Sequence, residues 1–312
     1  MDMSMWVTDT IASDAKRALP VLSFPAIQKM GITVKELIDS SEAQARAMKL
    51  IADAFPTAAS VSFMDLSVEA EAFGSSIVIS DEEVPTVVGS IVDEDSDPDD
   101  LVVPEVGAGR TGLYIEAIRT VVGEISDRPV FAGMIGPFSL AGRLMDVNEV
   151  MILCYEEPEL VKAVLEKCTS FLVEYARAFK DAGAHGVVVA EPLAGLLPPD
   201  LVSEFSTPYV RAIVDAVQAD GFIVVYHNCG PSVVKAADAV VSTGAKAFHF
   251  GNAIDMQEIL PLMPADALVM GNVDPAGEIR LGTPESVRAR TLEVIEACSG
   301  YPNFVVSTGC DV

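Results

Sequence analysis

Eight short apolar runs, each closed by polar residues and separated by stretches of helical periodicity, constrain this chain more than any other feature. The runs are Pro20–Pro25, Ala58–Met64, Pro129–Ile135, Gly186–Ala190, Phe222–Tyr226, Ala245–Phe250, Ala267–Asn272 and Asn303–Thr308. Most are rich in β-branched residues and read as strands buried on both faces; Pro20–Pro25 is the weakest of them. Helical stretches such as Thr111–Ile125, Pro158–Ala182, Pro199–Ala219 and Pro231–Thr243 lie between them, and start signals stand at Thr33 with Glu36 and at Thr283 with Pro284. Such alternation over 312 residues predicts one parallel sheet closed into a single (β/α)8 TIM barrel over residues 1–312.

Reactive residues of such a barrel lie at the C-terminal ends of its strands. Asp65, Glu191, His227, Cys229, Asn252, Asn272, Asp274 and Cys310 all follow apolar runs, whereas His185 precedes one and is assigned to the opposite, structural face. His249 falls inside a run between Phe248 and Phe250 and is read as packed and hydrogen-bonded rather than ligating.

The stretch Phe222–Gly230, FIVVYHNCG, ends with His227 and Cys229 two positions apart, so both side chains leave the same face of the strand. Cys310 follows the last run in the same manner. In a parallel barrel the three meet at one end, and an imidazole with two thiolates is a set that zinc favours, with its fourth position open for chemistry. The competing reading makes His227 and Cys229 ordinary strand-end residues and Cys310 incidental.

Composition narrows the partners. With 46 acidic and 20 basic side chains the formal net charge is −26, which excludes nucleic acid and simple attraction to an anionic membrane. No apolar run approaches the roughly 18 residues that span a bilayer and no secretory signal is present, so a soluble cytoplasmic protein is expected. The five cysteines are irregularly spaced and do not suggest a disulfide framework. From about residue 74 to 109 the pattern gives way to Gly, Pro, Ser and acid, including DEDSDPDD at Asp93–Asp100, read as a solvated acidic loop insertion.

FSLAGRLMD after MIGP, then AEPLAGLLPP, HNCG, GNVDP and STGCD, in that order, resemble the uroporphyrinogen decarboxylase superfamily over nearly the whole chain. The His-x-Cys pair followed some eighty residues later by Gly-Cys resembles its zinc-dependent corrinoid methyltransferase branch. That resemblance implies zinc held by His227, Cys229 and Cys310, a methylcobamide donor carried on a corrinoid protein, and a thiol acceptor of the coenzyme M type. Asp65, Arg143, Glu191, Asn252 and Asn272 are the candidate residues around the cofactor and substrate, with Arg110 as a further donor for an anionic tail. A decarboxylase of the same superfamily is the alternative, although the segment Ser23–Gly31 lacks the arginines that branch carries and Arg143 stands where it has a tyrosine. A methyltransferase using a non-thiol acceptor such as tetrahydrofolate is another, because FHFGNAID offers Gly251 and Asn252 where coenzyme M enzymes place an acidic residue. A non-enzymatic corrinoid-binding protein is a third. Relatives continue past the position of Val312 into a final helix, so the expected barrel lacks it.

Overall fold

The computed structural model describes residues 1–312. Strand β1 (Ser60–Val61) is followed by a separate antiparallel hairpin, β2 (Ser76–Val78) with β3 (Thr86–Val88). The remaining strands are β4 (Val130–Ile135), β5 (Gly186–Ala190), β6 (Ile223–Asn228), β7 (Ala247–Phe250), β8 (Leu268–Val273) and β9 (Phe304–Thr308). β1 and β4 to β9 form one curled parallel sheet in sequence order. Helices intervene, the longest being Pro158–Asp181.

The eighth stave is not a regular strand. Residues 18–23 run extended between β9 and β1. Leu19 N–H donates to the Val306 carbonyl at 3.0 Å, and Ala58 N–H donates to the Ala18 carbonyl at 2.8 Å. Pro20 has no N–H to add to a ladder, and hydroxyls take up the contacts instead. Val21 N–H donates to Thr308 Oγ1 at 3.1 Å, Ser307 Oγ–H to the Leu19 carbonyl at 2.7 Å, and Ser23 Oγ–H to the Val61 carbonyl. The expected eight regular strands are therefore seven strands and one proline-interrupted stave that joins the first part of the sheet to the last.

Strand periodicity divides the core in two. One cluster fills the barrel and includes Ile223 and Val225 of β6, Ala247 of β7, Met270 of β8 and Val305 of β9. Val224, Tyr226, Phe248, Val269 and Phe304 point outward into the larger layer beneath the helices. The barrel's lower end is plugged by the helix Met3–Ala12, whose Met3 and Val7 join the inner cluster and whose Trp6 meets Phe131 edge to face at 5.8 Å. His185 lies near this end, its Nδ1 accepting from Val130 N–H at 3.2 Å.

Two departures from the sequence reading are local. The stretch Pro199–Ala219 is two helices, Pro199–Phe205 and Thr207–Val217, because Pro208 lacks the N–H that Glu204 would need to continue the first. The acidic segment holds the β2–β3 hairpin and a single turn at Pro98–Asp100, and is tied down where Lys167 Nζ donates to the Leu101 carbonyl at 2.7 Å. No helix is long and apolar enough to cross a membrane.

Candidate metal centre at the barrel mouth

His227 continues the inward parity of Ile223 and Val225, so its imidazole tops the inner core at the C-terminal end of β6. Cys229 lies just beyond. The turn that carries it is shaped by Asn228, whose Oδ1 accepts from Gly230 N–H at 2.8 Å and whose Nδ2 donates to Tyr226 Oη at 3.0 Å. Gly251, after β7, passes so close that a Cβ there would lie 2.4 Å from Cys229 Cβ. Cys310 arrives from the end of β9, with Sγ 3.8 Å from His227 Nε2.

The ligand atoms of His227, Cys229 and Cys310 all fall within 4.8 Å of one another. Two atoms on one tetrahedral zinc at ordinary bond lengths stand roughly 3.6–3.8 Å apart, so the 3.8 Å separation suits a shared ion. The donor set fits the metal: one imidazole nitrogen and two sulfurs converge from two separate segments. The thiols also perturb one another. The Cys310 S–H shared with Cys229 draws the Cys229 pKa below the ordinary thiol value, and the same contact, with burial, pushes Cys310 upward. A divalent cation held by both sulfurs would displace their protons.

Beside the centre is a cavity of about 90 Å³ lined by Val21, Met64, Leu66, Pro192 and the carboxyl of Asp311, with no lysine or arginine. Asp311 Oδ2 accepts from Met64 N–H at 3.3 Å, its Oδ1 is buried without a partner, and burial raises its pKa to about 8. A much larger groove, about 930 Å³ around Lys29, Arg46 and Lys49, is open surface between helices and is lined by no histidine or cysteine.

The other sequence candidates sit around this centre, but several are engaged elsewhere. Asp65 is buried and accepts from Arg110 Nη1, from Tyr114 Oη at 2.9 Å and from Ser67 Oγ at 2.6 Å. Arg110, expected as a free donor, is held by Asp65 and, at 2.7 Å, by Glu71. Glu191 is fully buried and caps the helix Pro137–Met145, accepting from Phe138 N–H at 2.9 Å, Ser139 N–H at 3.1 Å and Ser139 Oγ at 2.9 Å. Burial raises its pKa to about 7 against those donors. Asn272 donates to the Gly251 carbonyl at 2.9 Å and the Ile254 carbonyl at 2.6 Å, which braces the loop against Cys229. Asn252 is exposed, and its backbone packs on Gly309 immediately before Cys310. Arg143, half-buried on the Pro137–Met145 helix, is in no ion pair, and burial lowers its pKa.

Of the sequence candidates Asp65, Glu191 and Asn272, none has a side chain hydrogen-bonded to the His227 ring. His249 does. Its Nδ1 lies 2.7 Å from His227 Nδ1, and its Nε2 lies 2.8 Å from both Ser307 Oγ and the Thr308 carbonyl. The signal was present in the alternation of β7, which turns Ala247 and His249 inward and pairs His249 with His227 across the sheet.

The uroporphyrinogen decarboxylase (URO-D) family pattern matches residues 17–312. The chain belongs to this family. Among family members, a methylcobamide:CoM methyltransferase MtbA of Methanosarcina acetivorans is 28% identical over 96% of this chain and 90% of its own length. A uroporphyrinogen decarboxylase of Myxococcus xanthus is 30% identical over 70% of this chain and 63% of its own. A solved methyltransferase from Methanosarcina mazei superposes with a TM-score of 0.86 at 21% identity, covering 100% of this chain and 93% of that one, so the two share the barrel fold.

Proposed function

We propose that this URO-D family protein is a methyltransferase that moves a methyl group from a methylated cobamide, presented by a corrinoid protein, to a small thiol acceptor of the coenzyme M type. The observation that carries the reading is the meeting of His227, Cys229 and Cys310 at the barrel mouth, within 4.8 Å of one another from segments some eighty residues apart. MtbA-type relatives matching 96% and 80% of the chain support it. Residues 1–312 are taken as one catalytic barrel, and free thiols throughout suit the reducing cytoplasm, where we place the reaction.

His227, Cys229 and Cys310 would hold a zinc ion. Zinc held there would keep an acceptor thiol deprotonated at neutral pH and, with its charge offset by two cysteinates, would leave that sulfur nucleophilic. In the transfer this would serve, the sulfur–carbon bond would form as the donor's carbon–cobalt bond breaks, its electron pair leaving with the cobamide. The protein's part is positioning. Val21, Met64, Leu66 and Pro192 form a dry wall for the acceptor carbons, which limits competing attack by water. With Arg110 held by Asp65 and Glu71, we assign an anionic acceptor tail to Arg143, which is in no ion pair.

Demethylation of methylcobalamin, followed by loss of its absorbance with coenzyme M, homocysteine or tetrahydrofolate offered in parallel, tests the proposal. About one equivalent of zinc and turnover with a thiol are expected, both lost in Cys310→Ala while the protein stays folded. Turnover with tetrahydrofolate alone overturns the thiol acceptor, and a Cys310→Ala protein that keeps its full zinc removes Cys310 from the site.

A further inference from the structure

The inner face of the barrel carries a line of hydrogen bonds that ends at the metal centre. Ser307 Oγ–H donates to the Leu19 carbonyl at 2.7 Å, so toward His249 that oxygen can only accept. The Thr308 carbonyl, 2.8 Å from the same His249 Nε2, is also an acceptor only. Two acceptors on one nitrogen require it to carry the proton. In the neutral ring, a proton on Nε2 leaves Nδ1 as the acceptor.

That acceptor faces His227 Nδ1 at 2.7 Å, and the His249 carbonyl faces the same nitrogen at 3.3 Å. With only acceptors around it, His227 Nδ1 carries a proton. The other nitrogen of the His227 ring, Nε2, faces Cys310 Sγ at 3.8 Å, the side on which the proposed cation would be held.

We infer that His249 is a positioning residue for the metal centre: held by Ser307 and the Thr308 carbonyl, it fixes the tautomer and plane of the His227 ring so that Nε2 is ready to ligate. The inference rests on the metal-centre reading above but not on methyl transfer. It ties metal affinity to the irregular stave, since Leu19 orients Ser307. A neutral imidazole in this role enforces direction without adding negative charge, unlike a carboxylate, so the ligand set keeps the charge balance set by its two cysteinates.

The test has two parts. In the metal-free wild-type protein, nitrogen-15 ring correlations of the two histidines are expected to show His227 protonated at Nδ1 and His249 protonated at Nε2. A His227 ring protonated at Nε2 overturns the inference whatever any variant does. In the second part the zinc dissociation constant, measured by competition with a chromophoric chelator, is expected to rise about 10–100-fold in His249→Leu and to recover in part in His249→Gln, which both donates and accepts. A folded His249→Leu protein with wild-type zinc affinity also overturns it. Both readouts stand without turnover, so failure of the methyl-transfer reading leaves a distinct result: altered affinity and the expected tautomers in a protein that does not demethylate methylcobalamin.

Discussion

Single side chains at this barrel mouth differ in how their environment treats charge, and Glu69 shows the consequence for stability. Its Oε1 accepts from Ile135 N–H at 3.0 Å, its Oε2 is buried without a partner, and burial raises its pKa from 4.5 to about 8. The folded protein therefore holds a proton that the unfolded chain releases across this window. Stability from this group is complete below pH 4.5 and is lost as pH rises through 8. Glu69→Gln keeps the acceptor for Ile135 and cannot ionise. Urea unfolding is expected to show the variant more stable than wild type by on the order of 1–3 kcal/mol at pH 9 and equal to it near pH 4.5. A constant difference across that range would mean that Glu69 ionises freely in the fold. Nothing in the sequence distinguished Glu69 from its acidic neighbours, because its burial comes from the return of β4 some sixty-five residues later. His227 and Cys229 were legible for the opposite reason: their relation is the two-residue period of one strand.

Among the elements, the loops after β6, β7 and β9 hold the centre by close backbone approach rather than by side-chain bulk. Gly251 is the tightest point at the cluster, since an added Cβ would lie 2.4 Å from Cys229 Cβ and 2.5 Å from its Cα. Gly251→Ala is expected to push the Cys229 turn outward, lowering stability by about 1–3 kcal/mol and weakening zinc binding, as read by denaturation and chelator competition. Gly300→Ala, whose Cβ would meet nothing within 4 Å, serves as the control and should change neither. Equal effects in the two variants would show that contact with Cys229 does not matter. The strands themselves were legible from their apolar runs, with ends within a few residues of those observed. The first run was legible only as the weakest strand, because its prolines and hydroxyl-mediated contacts break strand periodicity; the neighbouring β1 and β9 make residues 18–23 a stave rather than a regular strand.

For the molecule as a whole, closure sets the early segment against the last strand while a charge of −26 opposes compaction. Many of the cations are already committed locally: Arg177 to Glu174 and Arg119 to Glu116 along exposed helix faces, and Arg110 to Asp65 and Glu71 inside. Such exposed pairs contribute little, and much of the carboxylate excess faces solvent without a cation. Repulsion among those charges reaches across the molecule at low ionic strength, where the screening length is about 30 Å at 0.01 M, and shrinks to about 3 Å at 1 M. Folding brings the charges closer than they are in the open chain, so screening should favour the folded state. The thermal midpoint is expected to rise by about 2–6 °C between 10 mM and 0.5 M sodium chloride, with potassium chloride equivalent because the effect is one of screening and not of a bound ion. A midpoint indifferent to salt would mean that the surface carboxylates are spaced widely enough to be independent, and that the acidic composition serves solubility alone.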